Sequence, residues 1–172
     1  MSSGWPFNQI HHIIWRSKRF KALKSADDKL LLFWYMTSEH QNALGFFRCP
    51  DHWPAADLQW DVERVAESRK RLEECCLVYY DEDSEEIYVD QWLRFAVKPS
   101  RQVFGGYQRQ VDNIESDYLR EQVVTPALEE AAGRWTGEPP RISKPSDPPQ
   151  PANRAASPDR LEAALNRNRA RG

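Results

Sequence analysis

Residues 72–92 read L-E-E-C-C-L-V-Y-Y-D-E-D-S-E-E-I-Y-V-D-Q-W. A charged amphipathic helix runs here straight into two short segments, 77–80 and 87–89, joined by the acidic turn 81–86. Val, Ile and Tyr suit a half-buried pleated surface, so the two segments are predicted to be strands of a hairpin. Few folds place a helix directly against a hairpin with no linker between them.

The upstream sequence narrows the choice. Ser25 can cap a helix, with Asp28 three residues later in capping-box position and Asp27 beside it at the positive end of the dipole. The run L-L-L-F-W-Y-M that follows is apolar almost all round and predicts a central, buried helix ending near residues 37–39. Residues 44–49 read as a short strand ended by Pro50. Residues 51–58 read as a brief second helix with Pro54 tolerated in its first turn. Asp61 is a good N-cap for a third helix through residue 75. At about 100° per residue, Val62, Val65, Ala66, Leu72 and Cys76 fall on one stripe. Arg64, Ser68 and Arg71 fall opposite, and Glu63, Glu67 and Glu74 form an acidic flank. Arg69 sits within the apolar stripe, so either its guanidinium snorkels out or the helix is rotated.

After Trp92 the pattern returns to helix over residues 103–116 and 117–132, with Pro126 expected to break or kink the second. Residues 133–172 include P-P-R-I-S-K-P-S-D-P-P-Q-P and predict a disordered tail. A short terminal helix within it would carry Leu161, Ala164 and Leu165 at i, i+3, i+4 spacing. At the other end, residues 1–24 form a basic arm with Arg16, Lys18, Arg19, Lys21 and Lys24 and no acid. Its Trp15, Phe20 and Leu23 are expected to rest on the core while the cations face water. The formal charge of −2 therefore hides basic ends and an acidic middle, and no global basic field announces a nucleic-acid partner.

Together these elements predict a mainly α chain with a small β-hairpin. They give a winged helix-turn-helix domain over residues 25–98, additional helices over 99–132 and the tail. Four strings carry a resemblance: F-K-A-L-K-S-A-D-D-K-L-L-L-F-W-Y-M-T-S, L-G-F-F-R-C-P, E-R-V-A-E-S-R-K-R-L-E-E-C-C-L-V-Y-Y-D and I-Y-V-D-Q-W-L-R-F. In order and spacing they resemble winged-helix proteins of phages and prophages described as replication-initiation or replisome-organiser proteins. The resemblance covers roughly residues 16–98 and more loosely extends to 132. It implies binding of double-stranded DNA at an origin or operator by the helix 61–75. It also implies, as in some relatives, recruitment of a host helicase or helicase loader through the C-terminal segment. In such proteins that helix usually ends on Gly; here Cys76 takes the position.

Candidate DNA contacts are Arg64, Ser68, Lys70 and Arg71 on that helix and Arg16, Lys18, Arg19 and Lys21 on the arm. Leu161, Ala164 and Leu165 are the candidate partner contacts. The acidic turn, with Asp81, Glu82, Asp83, Glu85 and Glu86, opposes phosphate and suits water or a basic protein surface. That leaves a second function class, a winged-helix adaptor that binds protein only. Cys49 and His52 have C-x2-H spacing, but paired C-x2-C spacing is absent, so no metal or cofactor is expected. No nucleophile-elbow, phosphate-loop or H-E-x-x-H pattern occurs, and no enzyme is expected. Three cysteines and no apolar run near 20 residues predict a reduced, soluble, cytoplasmic protein, in the host cell if phage-encoded.

Overall fold

A computed structural model describes residues 8, 10–95 and 100–136. The first elements are a 3-10 turn, His12–Arg16, and α1, Lys18–Ala22, whose first turn is capped by the Ser17 hydroxyl accepting from Phe20 N. Phe20 and Leu23 are buried, whereas Trp15 is exposed and meets Phe20 and Phe33 by its ring edges. The end of the expected arm is therefore part of the core, because two large apolar side chains anchor it.

The helix α2, Ala26–Thr37, begins at Ser25, whose Oγ accepts from Asp27 N at 3.1 Å. Leu31, Leu32 and Tyr35 are buried, but Leu30 is about half exposed. The run that looked apolar all round thus folds with one face outward, because the helix has neighbours on only part of its circumference. Next come β1, Phe46–Arg48, and α3, His52–Leu58, then α4, Val62–Glu74. The expected hairpin is β2, Val78–Asp81, with β3, Glu86–Val89. It gains a third strand. The antiparallel order is β1-β3-β2, with Phe46 opposite Tyr88 and Tyr88 opposite Tyr79.

Period-two alternation sends the central strand's side chains to two different cores. Ile87 and Val89 join Phe47, Val78, Leu31, Val65 and Leu72 on one side. Tyr88 joins Phe46, Tyr107, Val111, Leu119 and Leu128 on the other. The second core is built by α5, Arg101–Asp112, a π-helical stretch, Leu119–Val124, and α6, Thr125–Thr136. These helices belong to the same unit as those before the hairpin. Glu86, 5% exposed, fastens them: its carboxylate accepts from Glu115 N and Ser116 N at 3.1 and 2.8 Å. Ser116 Oγ accepts in turn from Leu119 N and donates to Asp81.

Pro126 does not break the helix, which runs on through it. It lies two residues after the π-helical stretch, next to the wider turn in which Thr125 N donates to Arg120 O, so proline's missing N–H falls where the ladder has already changed register. The chain then stays helical through Gly133 to Thr136, past the boundary expected at 132. Trp135 packs edge-on against Phe104, and Arg134 donates to the Arg94 and Leu93 carbonyls. These contacts hold residues that composition alone assigned to the tail. The remaining tail, with Leu161, Ala164 and Leu165, lies outside the described residues.

The end of α4 follows a Schellman pattern. Leu77 N donates to Leu72 O at 3.0 Å and Cys76 N to Glu73 O at 2.8 Å. That geometry puts Cys76 at φ +52°, where a Cβ is strained. Cys76→Gly should therefore raise the unfolding free energy by about 0.5–1 kcal/mol, the relief of strain offset partly by glycine's freer unfolded chain. Urea denaturation of the two proteins measures it. A destabilised glycine variant would mean that the Cys76 side chain's own packing outweighs the strain.

Candidate interaction surfaces

The buried residues of α4 are Val65, Ser68, Arg69 and Leu72. Compared with the stripe drawn through Val62, Val65, Ala66, Leu72 and Cys76, the buried face is turned by about 40°. Val62 is consequently 44% exposed, and Ser68, expected on the DNA side, is fully buried. Arg69, at the centre of the expected stripe, stays inside the rotated face as well. Its Nε and Nη2 donate to the two oxygens of Asp51 at 3.0 and 2.9 Å, and its guanidinium lies 3.7 Å from the centre of the Tyr80 ring. Nη1 reaches Glu73 at 3.4 Å.

Desolvation opposes the Arg69 charge, but the bonds and charges of Asp51 and Glu73 outweigh it and hold the guanidinium pKa above its ordinary value. Glu73 tells the other half. Burial pushes its carboxyl up, and the charge of Arg69 only partly offsets that. Burial likewise raises the Tyr35 and Tyr80 hydroxyls and the Cys49 thiol, keeping this neighbourhood neutral apart from the clamp.

The two remaining arginines of α4 are committed to α2. Arg64 pairs with Asp27 at 2.8–2.9 Å and stacks 4.3 Å from the Trp60 ring. Arg71 Nε donates to both oxygens of Asp28, which is 2% exposed, and Arg71 Nη2 donates to Ser68 Oγ. Asp28 is therefore not the second half of a capping box. Arg71 draws its carboxylate away from the cap, because a buried carboxylate requires a charged partner.

The charged residues that α4 exposes are Glu63, Arg64, Glu67, Lys70 and Glu74, three acids and two bases, with Arg64 paired to Asp27. The β2–β3 turn extends this character with exposed Glu82 and Asp83, while Glu85 pairs with Arg48 at 2.7 Å. A hollow of about 400 Å³, lined by Asp51, Val62, Tyr80, Glu82 and Glu85 among others, joins the start of α4 to the turn. The expected acidic flank is thus the outer face itself.

The arm divides. Arg19 does not face water as expected: it pairs with Asp90 at 2.6 Å and donates to the Cys76 carbonyl. It ties α1 to the loop after α4 and to the residue following β3. Arg16, Lys18, Lys21 and Lys24 are exposed and make no ion pair among the described residues.

Among the described residues no group of three or more His, Cys, Asp or Glu is arranged to hold a metal ion, and Cys49 is buried. No described helix is long and apolar enough to cross a membrane.

No family model, curated protein or solved structure matches this chain.

The ionic anchors Asp28, Asp51 and Glu86 escaped the sequence reading, since each stands at a cap, a turn or a helix start where acids are ordinary. Arg69 within an apolar stripe was the one signal that a buried partner existed.

Proposed function

We propose that this chain is a non-catalytic winged-helix module of the phage replication or transcription type that docks a basic protein surface through α4 and the β2–β3 turn. The order helix, strand, helix, helix, strand, strand and the strand arrangement β1-β3-β2 support the winged-helix reading. One observation carries the choice of partner: Arg69 is buried on Asp51, Arg64 and Arg71 are paired with Asp27 and Asp28 of α2, and Glu63, Glu67 and Glu74 stand outward with Lys70 as the one base of α4 without an ion pair among the described residues. Insertion of that face into a major groove would bring carboxylates to phosphate, where counterion release favours cations.

A second reading is favoured by the basic edge. Arg16, Lys18, Lys21 and Lys24 are exposed and carry no ion pair among the described residues, so duplex DNA would be held there by phosphate contacts rather than base readout. In that case α4 remains available to a protein while the edge rests on DNA.

Gel-shift titrations with duplex DNA, begun on the order of 50 mM salt, separate the readings. Lys70→Ala should leave any affinity unchanged. Arg16→Ala, Lys18→Ala and Lys21→Ala together should abolish it if the edge binds, and a protein-only adaptor should show none to lose. In parallel, the anisotropy of a labelled lysine-rich helical peptide should report binding that Glu63→Lys, Glu67→Lys and Glu74→Lys eliminates. A tenfold or larger loss of duplex affinity in Lys70→Ala, about 1.4 kcal/mol, would sink the proposal, since α4 would then be the DNA-reading element. Arg71→Ala is unsuitable as a probe because it strands the buried Asp28 charge.

A further inference from the structure

Away from the α4 face, a groove of about 840 Å³ opens between the 3-10 turn His12–Arg16 and the turn Trp92–Arg94. Its walls include Leu32, Met36, Leu77 and Val89, which are side chains of α2, the loop after α4 and β3, together with the Trp92 indole. Two large apolar groups that line it, Ile13 and Phe95, are 44% and 51% exposed. The volume falls within the range of clefts that enclose a small organic ligand.

The charged residues lining the groove are not balanced. Asp90 also lines it, but Arg19 already neutralises that carboxylate at 2.6 Å. Arg16 and Lys18 remain, without ion pairs among the described residues, and Arg94, likewise without one among them, meets the neutral amide oxygen of Gln91 at 2.8 Å and the Phe95 ring at 5.9 Å. His11, stacked on Phe95, accepts from Ile13 N through Nδ1, and its Nε2 makes no hydrogen bond among the described residues. Apolar walls and surplus cations thus occur in one cleft, and a ligand that satisfied both would need an apolar body and an anionic head.

We propose that this groove binds a small amphipathic anion. Its apolar body, aromatic or aliphatic, would lie on Leu32, Met36, Leu77 and Val89, with a carboxylate or phosphate held by Arg16, Lys18 and Arg94. The site is independent of the acidic α4 face and so of the protein-docking role proposed above.

Calorimetric titration of the full chain with dodecanoate and with 8-anilinonaphthalene-1-sulfonate tests it, below their aggregation concentrations. Dodecyltrimethylammonium and a neutral alkyl glucoside serve as comparators. Saturable binding of one anion per chain is expected, accompanied by a shift of the Trp92 indole N–H resonance. The two comparators should bind at least about tenfold more weakly. Arg16→Glu with Lys18→Glu, both exposed and outside the core, should weaken anion binding by about tenfold or more at unchanged Tm. Glu67→Lys with Glu74→Lys should leave it as it was. Equal affinity for the cationic comparator, unsaturable uptake, or an unaltered affinity in the charge-reversed protein would overturn the assignment, the last pointing to apolar adsorption alone.

Discussion

Replacing Arg69 with alanine should lower the unfolding free energy by roughly 3–5 kcal/mol. The guanidinium is 4% exposed and is the charged partner of Asp51, whose own side chain is 16% exposed. Alanine would remove two hydrogen bonds at 2.9–3.0 Å and the stacking on Tyr80, and would leave the Asp51 carboxylate without its counter-charge. Against a total stability of about 5–15 kcal/mol, that loss approaches unfolding. Paired replacement separates charge from packing. Arg69→Met with Asp51→Leu should recover most of the loss, because apolar groups of similar volume substitute well for a buried pair. Asp51 makes no side-chain cap bond to α3, so its replacement forfeits no cap. Urea midpoints for the single and double variants decide the matter: equal losses in both would show that shape, not charge, is the missing element.

Gly45→Ala is the second large effect, expected at about 2–5 kcal/mol. Gly45 has φ +82°, and a Cβ there would overlap Cβ and Cγ of Trp92. Strain in the left-handed region accounts for about 1–2 kcal/mol and forced displacement of a packed ring for about 1–3 kcal/mol. The indole cannot retreat cheaply. Its Nε1 donates to Ala43 O at 3.2 Å, and Gly45 O accepts from Val89 N at 2.8 Å, so ring and backbone are held on both sides. Thermal unfolding followed by near-ultraviolet circular dichroism should report a lower Tm. A Tm within experimental error of the parent protein would remove steric exclusion as the reason for glycine at this position.

Local chemistry was legible and partner choice was not. Ser25 capping α2, Pro54 in the first turn of α3 and the β2–β3 alternation are each decided within a few residues, and all were read from sequence. The Cys76 position at the end of α4, where glycine is usual, does adopt the left-handed backbone. The face of α4 depended on something non-local. The expected and observed faces lie about 40° apart, and the pairs Arg69–Asp51 and Arg71–Asp28, distant in sequence, belong to the observed one. The strand read over 44–49 carried no pairing, because that of Phe46–Arg48 with Glu86–Val89 spans the intervening helices. For the candidate DNA residues the consequence is direct: type and spacing suggested contact, while commitment to internal carboxylates is a property of the folded chain.

The π-helical stretch Leu119–Val124 has a bearing on how this chain tolerates change. One residue more than an α-turn needs is accommodated there, so all that follows is phased about 100° from where uninterrupted α geometry would carry it. Leu128 and Ala131 reach the second core only because of that offset, and Trp135 meets Phe104 for the same reason. Loss of a single residue within this stretch would remove the surplus and restore plain α geometry with the last helix's apolar seam still on the core, whereas loss of one beyond it would swing that seam toward solvent.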